Sequence, residues 1–303
     1  MTRRDLLLGA LAAPASLRDT VLVHEHILVD FIGADKVSRE RYNADEVFRS
    51  AAAKLKVVKA LGCVRMLECT PNYLGRDPRL LHRLADSVGL DIWTNTGLYG
   101  AGDHKYLPDF VKDESAEQLA KRWIDEANKG VEGLKPKFIK TGVNEAPLDA
   151  IDRKLITAAA LTSKETGLTI ASHTGGRGPA AVQQLEIVGR VGVNPEKFVW
   201  VHAQNEKNHS YHERLASAGA WVEFDGINET SAEWHLECVS WMNDNGLIDR
   251  VLISQDSGWW HVGEPNGGVF KGYAWIYTDF LPVVPESLWP ILLVANPRRA
   301  FGG

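Results

Sequence analysis

Eight short apolar or alternating runs, separated by longer stretches of helical spacing, constrain this chain more than any other feature. They are VLVHEHILV (21–29), CVRMLECT (63–70), DIWTNTG (91–97), FIKTGV (138–143), LTIASHTG (168–175), FVWVHAQ (198–204), AWVEFDG (220–226) and VLISQD (251–256). Such runs read as strands buried on both faces, and parallel strands need a crossover, usually a helix, to return the chain between them. Amphipathic stretches at 116–130, 149–167 and 210–219 fit that role, several closing on the glycine expected just past a helix end. Eight such units predict an α/β chain in the (β/α)8 TIM-barrel form. Its 303 residues hold no Pro/Gly/Ser-rich linker and no internal repeat, so a single domain is expected. An open doubly wound sheet is the competing architecture, because counting strands does not establish closure.

Composition narrows the function. With 45% apolar and 24% charged residues the chain is globular, and a net charge of −5 counts against gripping nucleic acid or an anionic membrane. The expected partner is a small-molecule substrate. No GxGxxG or GxxxxGK[ST] follows a strand, so neither dinucleotide nor P-loop phosphate binding has support. Cys63, Cys69 and Cys238 lack CxxC spacing and imply neither a disulfide framework nor a cysteine zinc site. The opening MTRRDLLLGALAAPAS has a basic start, a short apolar run and small residues up to Ala15, the layout of an export signal. With Arg3 and Arg4 it resembles a twin-arginine signal over residues 1–18, which would make 19–303 a periplasmic or secreted protein; without it, the protein is cytoplasmic. No other segment carries the apolar length of a membrane span.

Barrel enzymes build their sites at the carboxyl ends of the strands, and here those ends are chemically selective. The first run carries His24, Glu25 and His26; residues two apart share a face of a strand, so both imidazoles converge while Glu25 points away. Lys140, His173, His202 and Asp256 close later runs. Singly, each has a bland reading as a satisfied core histidine, a snorkelling lysine or a loop-capping aspartate. Jointly, four imidazoles gathered without an ion would leave costly unsatisfied nitrogens, so the set predicts metal. By contrast His82, His104, His209, His212 and His235 fall on helix-like or loop segments and are assigned to solvated faces. A Lys140 ammonium beside divalent cations is repelled, whereas the carbamate an amine forms with carbon dioxide is an anion able to bridge two metals.

The motifs VHEH (23–26), FIKTGVNEAPL (138–148), SHTGG (172–176), VHAQ (201–204), LISQD (252–256) and NPRRAF (296–301) give the chain a specific resemblance to the phosphotriesterase-like branch of the amidohydrolase superfamily. That resemblance spans nearly the whole chain. It implies a binuclear centre, zinc by default, with His24, His26 and Asp256 on one ion, His173 and His202 on the other, and N6-carboxylated Lys140 bridging. Asp256 is then also the catalytic residue that takes the proton from the attacking water. A homodimer is a further expectation from relatives.

Relatives include lactonases and organophosphate phosphotriesterases, and a non-catalytic binding protein on the same scaffold is the alternative from another class. A lactonase opening a small sugar-type or aliphatic lactone is the leading expectation. Tyr99 is placed to orient the lactone, as a corresponding tyrosine does in lactonase relatives. Trp259, Trp260 and His261, in the loop after the eighth run, are expected to wall the pocket. Glu68, Asn72, Arg76, Asn144 and Glu145 are expected to form a polar rim suited to a hydroxylated ring. Gly226 stands where many acyl-homoserine lactonase relatives carry arginine, which counts against long-chain acyl-homoserine lactones.

Overall fold

The strands are short and every ladder among them is parallel. The computed structural model describes residues 17–175 and 177–302. Its strands are β1 (Thr20–Glu25), β2 (Leu28–Val29), β3 (Cys63–Glu68), β4 (Asp91–Trp93), β5 (Asn95–Thr96), β6 (Phe138–Val143), β7 (Ile170–Thr174), β8 (Phe198–Val201), β9 (Trp221–Phe224), β10 (Val251–Ile253) and β11 (Trp260–His261). Strands β1-β3-β4 form one hydrogen-bonded set and β5-β6-β7-β8-β9-β10 another. The chain itself joins β4 to β5 across Thr94, so these two make one stave. Between β10 and β1 there is no ladder. Closure there rests on single bonds: the Asp256 amide donates to His24 O (3.1 Å) and the His26 amide to Ser257 O (2.8 Å). The eight staves of a (β/α)8 barrel result.

Helices α1 (Ala44–Ala60), α2 (Pro78–Val88), α4 (Ala116–Lys129), α5 (Ala150–Thr166), α6 (Gly178–Val191), α7 (His209–Ser217) and α8 (Ala232–Asp244) return the chain between staves, with a short α3 (Phe110–Asp113) ahead of α4. Local chemistry fixes their starts: Asn43, Asp77 and Asp149 accept backbone N–H bonds at α1, α2 and α5, and Ser115 with Gln118 forms a capping box at α4. The eighth unit departs from a plain helix, running through π-helical turns at Ile276–Phe280 and Ile291–Ala295 into α9 (Asn296–Phe301). Asn296 locks that end beneath the barrel by donating to Ile248 O (2.8 Å) and Val251 O (2.7 Å).

Strand periodicity divides the core into two layers. Val21, Val23, Leu67, Phe138, Val199, Trp221 and Leu252 fill the barrel. Leu22, Met66, Ile139, Phe198, Val222 and Ile253 face the helices. Along β1 the alternation breaks: its pairing with β3 slips between Leu22 and Glu25. Strict alternation would have put Val21, Val23 and Glu25 on one face. The slip lets Val23 face inward and still turns His24 and His26 to the mouth.

Most of the expected runs overshoot the observed strands at their carboxyl ends, and 21–29 is split, its tail β2 pairing with β11 in a separate two-stranded sheet. Lys140 and His173 stay in their ladders, whereas two site residues leave theirs. His202 (φ 65°) and Asp256 (φ 49°) adopt left-handed backbone, which ends a strand. Among the described residues no helix is long and apolar enough to cross a membrane. The expected export segment, residues 1–18, lies outside the described residues except for its last two, of which Leu17 is buried in the core.

Candidate metal centre

At the barrel mouth His24, His26, His173, His202 and Asp256 come together with Lys140, which does not end its strand as expected but lies within β6, three residues before Val143. The protonation of His24, His26 and His202 is set from behind. Nδ1 of His24 lies 2.7 Å from Glu223 Oε1. Nδ1 of His202 lies 2.5 Å from Asp225 Oδ1, and the His202 amide donates to the same carboxylate (3.0 Å). Nδ1 of His26 lies 2.8 Å from Thr70 Oγ1, whose hydroxyl donates to Glu68 Oε1 (2.5 Å). In each case the acceptor behind the ring requires hydrogen on Nδ1, so Nε2 is the nitrogen turned to the mouth, and in the neutral ring it carries a bare lone pair.

Nε2 of His24 and of His26 face a carboxylate oxygen, which has no proton to donate when ionised. Asp256 Oδ1 is buried without a hydrogen-bond partner, yet lies 3.2 Å from Nε2 of His26 and 3.7 Å from Nε2 of His24. Nε2 of His202 and Nδ1 of His173 are 2.6 Å apart. Ligand atoms of His24, His202 and Asp256 lie within 4.8 Å of one another. Acceptors converging on one point repel unless a cation sits between them, so the donor set fits divalent metal. Lys140 is buried beside them, its Nζ 6.0 Å from the centre of the Tyr99 ring.

The electrostatics of His26, His173 and Asp256 agree with ligand forms. Burial works against charging His24, but Cys69, Asp225 and Asp256 outweigh it and hold that ring well above the ordinary imidazole range, so a cation there would displace its proton. Burial, with the neighbouring His24 and Lys140 charges, outweighs Asp256 and pushes His26 down to about 4. Burial and the adjacent His202 hold His173 well below the usual imidazole range. Both are therefore neutral at pH 7. Burial works against ionising Asp256, but His24, His26 and His202 outweigh it and bring its carboxyl down to about 2. Burial works against ionising Asp225 too, but the adjacent His202 and His24 outweigh it and hold its carboxyl well below the ordinary range.

Around this centre runs an arc of rings. The Trp259 ring lies 4.0 Å from that of His26 and stacks with Phe31 at 5.7 Å. Phe31 meets Tyr106 at 6.0 Å, Tyr106 meets Tyr99 at 5.9 Å, and Tyr99 meets His173 at 4.9 Å. Tyr99 reaches this position because residue 142 is glycine: a Cβ there would sit 2.8 Å from the tyrosine ring. Burial, with the charge of Asp256 nearby, raises the Tyr99 phenol above its ordinary value, so it is a hydrogen-bond donor.

Several expected residues stand elsewhere. Glu68 is buried behind His26 and accepts from Thr70 and from the Ile27 amide (3.1 Å) rather than lining a rim. Arg76 turns its guanidinium to Asn95 O (2.6 Å) and Glu126 (2.9 Å), tying its loop to α4. Asn144 bonds back to Gly100 O and Asp152. The polar rim is thus largely consumed by internal contacts, and aromatic rings take its place. Trp260 is buried, its ring against Gly267 and edge-on to Phe270, while His261 stays at the mouth stacked on Trp259. His212 and His235, assigned to solvated faces, are fully buried: His212 bonds Ala203 O (2.8 Å) and His235 bonds Asp225 O (2.7 Å). Helical position alone did not reveal that their face packs on the barrel. Missing from the expected set are Thr70, Glu223 and Asp225. The last two carried a signal, since acids two apart in VEFD share a strand face.

The phosphotriesterase family model matches residues 7–301. An aryldialkylphosphatase of Saccharolobus solfataricus is 26% identical over 300 residues, covering 92% of this chain and 94% of its own. A phospho-furanose lactonase of Mycoplasmopsis synoviae is 24% identical over 260 residues, covering 76% and 73%. Among solved structures, a mutant of the organophosphorus hydrolase of Deinococcus radiodurans matches with a TM-score of 0.84 at 24% identity, covering 97% of this chain and 96% of that one. The motif-bearing strand ends, the barrel they close and the match along nearly the full length agree: the chain is a hydrolase of the phosphotriesterase family.

Proposed function

We propose that this hydrolase is a lactonase that opens a small sugar-type or aliphatic lactone at a binuclear centre. The observation that carries the metal half of this reading is the buried, unpartnered Asp256 Oδ1 facing the imidazole nitrogens of His26 and His24. His24, His26 and Asp256 would hold one ion, His173 and His202 the other, with carboxylated Lys140 between them. Zinc suits this nitrogen and oxygen set. When bound, two divalent ions supply a strong nucleophile from water at neutral pH and polarise the oxygen of the bond attacked.

The chain's own residues do the rest. Asp256, ionised and half-exposed at the mouth, accepts the proton of the attacking water and returns it to the departing ring oxygen. The Tyr99 phenol, beside His173, donates to the ring or carbonyl oxygen of the lactone. Trp259 and Phe31 offer flat apolar faces to one side of the ring and keep bulk water from it. The lactonase among the relatives supports this choice. The same aromatic wall suits the ester groups of a phosphotriester, so the organophosphate alternative belongs in the test.

The experiment is metal analysis of protein purified without chelator, followed by hydrolysis assays over a panel of sugar lactones, aliphatic lactones and paraoxon-like triesters. Two metal equivalents per chain are expected, with kcat/KM for the best lactone at least about 100-fold above that for any triester. The reverse order would make the chain a phosphotriesterase. Bound metal without turnover anywhere would make it a binding protein.

A further inference from the structure

Glu25 stands between two of the proposed metal ligands and itself holds none. Its side chain is fully buried and points away from the mouth, toward the seam where β10 and β1 meet without a ladder. There its carboxylate accepts three bonds from one short segment: the Ser254 hydroxyl (2.9 Å) and the Gln255 amide (3.1 Å) on Oε1, and the Ser257 amide (2.8 Å) on Oε2. These residues bracket Asp256 on both sides. Among the described residues no arginine or lysine partners the carboxylate.

Asp256 needs such support. It sits at φ 49°, in the left-handed region that a non-glycine residue occupies only when its surroundings impose it. Its own amide donates to His24 O (3.1 Å), and its Oδ1 faces the two imidazoles. With only single bonds across the seam, nothing in a sheet ladder sets the height of this segment relative to β1. The Ser254 hydroxyl ties both sides together, because its oxygen also accepts from the His24 amide (3.0 Å).

From this geometry we infer that Glu25 is a positioning residue: its carboxylate clamps residues 254–257 across the barrel seam and so fixes the Asp256 carboxylate against the imidazoles on either side of Glu25. One residue thereby couples the two strand ends that supply His24, His26 and Asp256. The inference rests on the reading of Asp256 as ligand and proton acceptor, and the clamp itself is testable without metal.

A double-mutant cycle carries the test. Glu25→Gln keeps shape but replaces one acceptor oxygen with an NH2 group facing N–H or O–H donors. Expected in metal-loaded protein are a kcat loss of about 10- to 100-fold with KM within about twofold, and a cobalt(II) visible spectrum displaced in the same direction as that of Asp256→Asn. In the Asp256→Asn background, Glu25→Gln should cost less than about twofold more, because both changes act through one carboxylate. Independent, multiplying losses with an unchanged cobalt spectrum would overturn the proposal. In metal-free protein the Gln255 and Ser257 amides should lose hydrogen-exchange protection in Glu25→Gln while β6 amides keep theirs; equal protection at 255 and 257 would also overturn it. If Glu25→Gln fails to fold, Ser254→Ala removes one clamp bond and its hydroxyl link to His24. It should show the same non-additivity at smaller amplitude. A wild-type chain that binds no metal defeats the proposed function and leaves the exchange result to decide the clamp.

Discussion

At the scale of single residues, the site is governed by what stands behind each imidazole. Asp225 serves two of them: Oδ1 meets Nδ1 of His202 at 2.5 Å, and Oδ2 lies 3.3 Å from Nδ1 of His24. It also accepts from the Gln204 amide group at 3.0 Å. Such partners fix the ring's orientation and tautomer and raise its basicity as a ligand. Asp225→Asn should therefore weaken metal binding by about 10- to 100-fold although the side chain touches no metal. Competition against a calibrated chelator measures this, and an affinity equal to wild type would contradict the role. Glu68 acts the same way one step further back, through Thr70. Its type and place in the run CVRMLECT read as a rim group. Only the fold reveals that its carboxylate lies under His26.

At the scale of elements, the segment after β10 is where the chain is most constrained. Gly258 has φ +100°, and a Cβ there would lie 1.8 Å from His26 O. The Tyr273 hydroxyl donates to that same carbonyl at 2.7 Å, and Trp259 Nε1 donates to Asp256 O at 2.6 Å. No rotamer change relieves a clash with backbone, so β1 and the loop would have to separate. Gly258→Ala should destabilise by more than about 1 kcal/mol. It should appear as a lower denaturant midpoint at unchanged slope, together with weaker metal retention. A midpoint equal to wild type would show that the loop can yield there. The strands are legible as elements because apolar runs between turn signals survive any tertiary context. Their ends are not, because His202 and Asp256 leave the ladder for left-handed backbone to serve contacts distant in sequence.

At the scale of the whole molecule, the proposed metal ligands come from five staves, including both sides of the unladdered seam between β10 and β1. Ions held there would bind the folded chain and not the unfolded one. At about 1,000 times Kd such linkage is worth about 4 kcal/mol. For a chain larger than 200 residues, each kcal/mol moves Tm by roughly 2 °C or slightly more. Chelation should therefore lower Tm by about 5–10 °C, and restoring the metal should recover it. Calorimetry checks both halves, and a Tm indifferent to chelator would mean that the mouth holds no ion that supports the fold.

Closure into a barrel came from the tertiary structure, while the order of residues by itself determined eight strand-forming runs, the α/β class and the side-chain types placed where those runs end. These depend on local periodicity and on side-chain chemistry that any reader of the chain can see. It also placed Glu25 on the face opposite His24 and His26, though not through the reason that operates. The slip in β1 pairing, the left-handed turns at His202 and Asp256, the exchange of a polar rim for aromatic rings and the burial of His212 and His235 were decided only by tertiary structure. Each depends on partners more than 20 residues away or on how two layers pack, and no local pattern encodes that distance. The barrel's seam is the plainest case: Glu25 meets Ser257 across 232 positions of sequence, and only closure brings them to 2.8 Å.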